Sequence, residues 1–169
     1  MRPRLLLVSF VTVVGITACS QAVSSNSAAN PLASIATSES RWTANFRSVN
    51  NARSTLTDTT REKSFGSVEW RPGPTPTQST INVSFTYGGM ERELTWGILF
   101  GNCGSASLPV VPTSNFPELE LTGVGNTKTN ATINLEFPTS GTYHIDIYRD
   151  RSGTPESLVA CGNLKYSNR

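Results

Sequence analysis

From Ile81 to Tyr87 apolar side chains occupy every second position. Ile81, Val83, Phe85 and Tyr87 alternate with Asn82, Ser84 and Thr86, and the pattern recurs where Ala131, Ile133, Leu135 and Phe137 alternate with Thr132, Asn134 and Glu136. A period of two sends successive side chains to opposite faces of an extended chain, so such a segment buries one face as a strand and cannot do so as a helix. Eight segments read as strands: 41–48, 64–71, 80–87, 91–100, 118–123, 129–137, 142–149 and 158–166. Between them lie Gly- and Pro-rich turns such as "RPGPTPTQ" from Arg71, "YGGM" from Tyr87 and "TGVGNTKTN" from Thr122. The 13 Gly and 10 Pro suit short strands better than long helices. The expected fold is all-β: a Greek-key flattened barrel or sandwich of about eight strands. The polar segment 50–63 reads as a long loop or a short helix.

The first 18 residues form a separate object. Arg2 and Arg4 precede an apolar run from Leu5 to Ala18 that is shorter than the roughly 18 to 20 residues of a membrane-spanning helix. It reads as a secretory signal. Its end, "ITAC" from Ile16 to Cys19, resembles the bacterial lipobox, which implies cleavage before Cys19 and lipidation of its sulfur. Residues 1–18 are then a lipoprotein signal peptide. Residues 19–40, with one charge and no aromatic residue, form a flexible tether, and residues 41–169 form a single domain. About 21 residues of flexible chain span roughly 25 Å. The lipobox implies a domain held in the periplasm by a membrane anchor on Cys19. Ser20, rather than Asp, after the cysteine favours the outer membrane.

Removing Arg2 and Arg4 from the 14 basic residues leaves 12, equal to the 12 acidic ones. The charges alternate in sign along the chain with no Lys/Arg run, so nucleic acid is not an expected partner. With Cys19 lipidated, Cys103 and Cys161 remain in an oxidising compartment and are expected to pair.

Three segments carry a family resemblance: "WGILFGNCG" from Trp96 to Gly104, "YHIDIYRD" from Tyr143 to Asp150, and "LVACGNL" from Leu158 to Leu164. Together they resemble the copper–zinc superoxide dismutase fold and its CHRD-like bacterial relatives. Those proteins often carry W-H-V-H-x-G-x-C, then Y-x-V-x-V-H, then V-A-C-G-D-L. The resemblance spans roughly residues 64–166 and is most specific around the two cysteines, which in that family tie a loop to the last strand. Its departures bear on function. Gly97 and Leu99 stand where the metal-binding form has two strand histidines, Tyr148 where it has a third, and Leu158 where it has a catalytic arginine. The chain contains one histidine, and copper–zinc sites need several imidazoles on a rigid frame, so no metal or other cofactor is expected.

That histidine, His144, alternates with Tyr143, Ile145 and Ile147 and is expected to face solvent beside Asp146, paired with a neighbour. No Ser-His-Asp or Cys-His nucleophile is expected, since both cysteines are committed to each other. Glu91 with Glu93, and Glu118 with Glu120, read as solvated strand edges, and the glycines from Gly123 as a turn. "NVS" at Asn82 and "NAT" at Asn130 match a glycosylation acceptor that carries little weight in a bacterium.

In "LTWGILFGNC", Leu94, Trp96, Ile98 and Phe100 are expected to face the interior and Gly97 and Leu99 the outside. Exchanging metal ligands and an arginine for Leu99, Tyr148 and Leu158 makes an apolar hollow, to be either covered by the loop from Ser105 to Phe116 or used for docking. The expected function is therefore non-enzymatic. The domain acts by contact, as an accessory or stabilising subunit of an envelope membrane complex, with Leu99, Tyr148 and Leu158 as candidate interface and a protein partner in the envelope. The alternatives are residual metal binding or dismutase-like activity through His144, and binding of a small apolar ligand in the hollow.

Overall fold

The computed structural model describes residues 39–49 and 63–168. The leader, Cys19, most of the tether and residues 50–62 lie outside the described residues. No helix among the described residues is long and apolar enough to cross a membrane.

The domain is all-β. Its strands are β1 (Arg41–Ser48), β2 (Ser64–Pro72), β3 (Ser79–Tyr87), β4 (Glu93–Phe100), β5 (Leu119–Glu120), β6 (Asn126–Ile133), β7 (Tyr143–Tyr148), β8 (Leu158–Asn163) and β9 (Lys165–Ser167). All pairings are antiparallel, in the order β5-β4-β7-β8-β1-β2-β3-β6, with β9 also on β1. The ends of this path approach each other at the bridge between Thr122 and Asn126, which nearly closes the sheet into a barrel. Four consecutive strands thus stand as β3, β6, β5, β4, a Greek key.

β8 and β9 share one edge of β1. Arg47 lies opposite Cys161 and Thr43 opposite Lys165, both in one register, so nine strands fill eight positions. The expected strand over 158–166 is interrupted at Leu164, whose N–H turns aside to the Tyr143 carbonyl at 2.9 Å. The expected strand over 118–123 shrinks to two paired residues, Leu119 and Glu120. That over 129–137 moves back to Asn126–Ile133, because Thr127 and Thr129 occupy inward positions that their polarity disguised.

The interior is built from the alternating apolar set. Trp70, Ile81, Leu94, Ile98, Ile145 and Ile147 are fully buried, with Val83, Phe85, Tyr87 and Trp96 close behind. Trp42 meets Tyr143 edge-on at 5.2 Å between ring centroids and gives its indole N–H to the Pro138 carbonyl at 2.7 Å. The β5–β6 hairpin depends on Gly125 at φ 80°, where a Cβ would lie 2.1 Å from the Tyr87 carbonyl oxygen. Leu94, Trp96 and Ile98 face inward as expected. Phe100 does not: it is 50% exposed at the strand end, its ring 5.7 Å from that of Tyr143.

Candidate functional site

The outward faces of β4, β7 and β8 align in three rows. Thr95 stands opposite Tyr148, which faces Leu158; Gly97 opposite Asp146, which faces Cys161; Leu99 opposite His144, which faces Asn163. On an open barrel these rows would meet water. Here the chain after β4 folds back over them.

That return is set by local sequence. Gly101, at φ 83°, turns the chain out of β4. The loop then pairs along β4: the Phe100 N–H bonds to the Leu108 carbonyl, the Val110 N–H to the Ile98 carbonyl, and Pro109 bridges Leu99. This also occupies a strand edge that would otherwise be free. A 3-10 turn at Thr113–Asn115 brings Thr113 down onto Gly97, where a Cβ would lie 3.1 Å from the Thr113 methyl. Phe116 packs on Trp96 at 4.7 Å, and the Trp96 indole N–H donates to the Pro117 carbonyl at 2.6 Å. The disulfide between Cys103 and Cys161, with Cα atoms 5.9 Å apart, fastens the loop to β8, and the Cys103 N–H donates to Asn163 Oδ1 at 2.7 Å. The expected pairing and the covering role of the loop are both present.

Three expectations change under this cover. His144 and Asp146 do not face solvent; they are 1% and 7% exposed, because the loop closes over the outward side of β7. Leu99 and Tyr148 are buried for the same reason and Leu158 is half-buried, so Leu99 and Tyr148 are not an open docking surface. The expected apolar hollow is filled by the loop. A hollow of about 980 Å³ lies elsewhere, over β1, β2, β3 and β6, with Cys103 and Cys161 at its border.

Beneath the loop a polar cluster is enclosed. His144 Nδ1 lies 3.0 Å from the Gly101 carbonyl oxygen, which can only accept, so Nδ1 carries the hydrogen. Its Nε2 stands 3.6 Å from Asp146 Oδ2, and the Tyr148 hydroxyl donates to the same oxygen at 3.1 Å. His144 Nε2 and Asp146 Oδ1 are buried with no hydrogen-bond partner. Burial works against the imidazolium, but the Asp146 carboxylate and the Gly101 carbonyl outweigh it and hold the His144 pKa above its usual 6.5. Burial, then the Asp146 charge, push the Tyr148 hydroxyl far above its usual 10 and keep it neutral. A sulfur of each cysteine and a carboxylate oxygen of Asp146 lie within 4.8 Å of one another.

The cluster can hold a proton on His144 Nε2 beside Asp146, and Asp146 Oδ1 offers an unspent acceptor position. No hydroxyl or thiol nucleophile is hydrogen-bonded to His144 among the described residues. Asp146 is the member that sequence reasoning missed. The signal was in the neighbouring rows, since Gly97, Leu99 and Tyr148 are too apolar for a face open to water. Comparison of the chain with protein-family models and with curated proteins finds no match.

Proposed function

We propose that the chain is a non-enzymatic periplasmic lipoprotein domain, tethered through a lipid on Cys19, that acts by protein contact as an accessory subunit of an envelope complex. The observation that carries this reading is the roofing of the outer rows of β4, β7 and β8. Where the resemblance places a solvent-open metal cleft, Gly97, Leu99 and Tyr148 lie under a cross-linked loop. The dismutase-like ancestry is supported by the disulfide joining the loop after β4 to β8 and by the Greek-key order. With Leu99 and Tyr148 buried, contact falls to the apolar groups that remain outside. Phe100 and Leu108, 50% and 78% exposed, are joined by a backbone hydrogen bond at the end of β4 and are the apolar pair this reading assigns to contact.

The test is capture of the lipidated chain from gently solubilised envelope membranes, with the wild type beside a Phe100→Ser/Leu108→Asp variant. A partner recovered at constant stoichiometry with the wild type and lost with an equally stable variant is the expected result. Recovery of the wild-type chain alone defeats the reading.

Residual metal binding through His144 is the second reading, favoured by the buried Nε2, which makes no hydrogen bond. Stoichiometric copper or zinc in the purified oxidised protein, lost in His144→Ala, would favour it over the first.

A further inference from the structure

The geometry points to a divalent-metal site that exists only when the disulfide is open: in the reduced chain, Cys103, Cys161 and Asp146 hold one zinc-like ion, with His144 positioning the Asp146 carboxylate. None of these residues stands where the family resemblance puts a metal ligand, and the inference does not depend on the contact reading, which concerns the oxidised domain.

Four observations converge on the site. The Cys103 and Cys161 sulfurs and a carboxylate oxygen of Asp146 already lie within 4.8 Å of one another. A tetrahedral zinc site with Zn–S near 2.3 Å sets its ligand atoms about 3.3 to 3.8 Å apart, so small displacements suffice once the S–S bond is gone. The cysteine Cα separation of 5.9 Å leaves room for two separate thiolates, and Cys103 lies on a loop beside Gly104, around which a Cβ would meet nothing.

The second observation is the unspent donor capacity. Asp146 uses Oδ2 for Tyr148 and leaves Oδ1 buried without a hydrogen bond; His144 Nε2, 3.6 Å from Oδ2, makes none either. Orphaned polar atoms in so enclosed a place are costly unless something else meets them in another state. Third, His144 gives its Nδ1–H to the Gly101 carbonyl, which fixes the ring with Nε2 3.6 Å from Asp146 Oδ2, the arrangement of a histidine that orients a metal-binding carboxylate. Fourth, both cysteines border the 980 Å³ hollow, which gives a reductant and an ion a path from solvent.

The chemistry balances. A dithiol reductant delivers two electrons and two protons to the S–S bond and leaves as its own disulfide, producing two thiols. Zinc then displaces both thiol protons and binds two thiolates, the Asp146 carboxylate and one water, while His144 keeps its place beside Asp146. Two sulfurs with a carboxylate favour zinc, or cobalt as its spectroscopic substitute, over magnesium or calcium.

The experiment uses the purified full chain, either oxidised or reduced with dithiothreitol and desalted under nitrogen, titrated with Zn²⁺ and separately with Co²⁺. The reduced chain is expected to bind one zinc and release two protons per ion, and to give a thiolate-to-cobalt charge-transfer band; the oxidised chain does neither. Asp146→Asn and His144→Gln should each weaken zinc binding by about 10-fold or more while leaving the band. The inference is overturned if the reduced chain binds no zinc, loses its β-sheet circular dichroism, or binds zinc equally well as the Cys103→Ser/Cys161→Ser variant. Unchanged zinc affinity in both Asp146→Asn and His144→Gln overturns it as well.

Discussion

The two outer faces of the barrel differ although both belong to one sheet. Over β1, β2, β3 and β6 the outward positions are Asn45, Ser67, Asn82, Ser84, Lys128 and Asn130, most of them exposed and bordering an open hollow. Over β4, β7 and β8 the outward residues Leu99, His144, Asp146, Tyr148 and Cys161 are buried, and the flanking Thr95, Leu158 and Asn163 reach solvent. The first face is stabilised from one side only, by the core beneath it. The second is packed from both sides, and its outer layer is a loop held by a covalent bond. A substitution of similar size should therefore be tolerated on the first face and costly on the second.

Opening the disulfide tests the difference hardest. Cys103→Ser/Cys161→Ser frees a loop closed across 58 positions and should lower unfolding free energy by about 4 kcal/mol, read from urea denaturation. Next comes Leu99→Ala, which empties a buried site between β4 and the loop and should cost about 3 kcal/mol although Leu99 points away from the barrel interior. A loss under about 1 kcal/mol would mean that the cover is not packed on the strand.

The buried histidine gives a smaller, pH-dependent effect. Because its folded pKa is raised, the stability His144 contributes is complete below its unfolded value near 6.5 and is lost as pH rises through the folded value. Melting temperature should decline across that upper window, and Asp146→Asn should flatten the decline and lower the His144 pKa measured by NMR. On the open face, Asn82→Ala should change stability by no more than about 0.5 kcal/mol. A larger loss there would erase the contrast.

The same contrast governs what was legible in the sequence. On β3 one side meets the core and the other meets water, so Ile81 to Tyr87 alternate plainly and the strand is found within one residue. β1 matches its expected bounds, Arg41–Ser48. On β7 both sides are dry, and the covering residues come from the segment after β4, Gly101 lying 43 positions before His144. Alternation there distinguishes one buried side from another, and reading His144 and Asp146 as solvent-facing follows from applying a one-sided rule to a two-sided strand. The cysteine pair was legible because its chemistry does not depend on burial. The Asp146 cluster was not, because it is assembled from β7, β8 and the turn after β4, whose register no local pattern encodes.

Arg41 lies directly across from Ser167 at the start of β1, so the domain begins and finishes at a common pole. The opposite pole lies at the far ends of β1, β2 and β3. There the turns after β3 and β5 hold out Met90 and Val124, 93% and 81% exposed. A tag joined beside Ser167 would lie next to Arg41 and leave that distal tip clear.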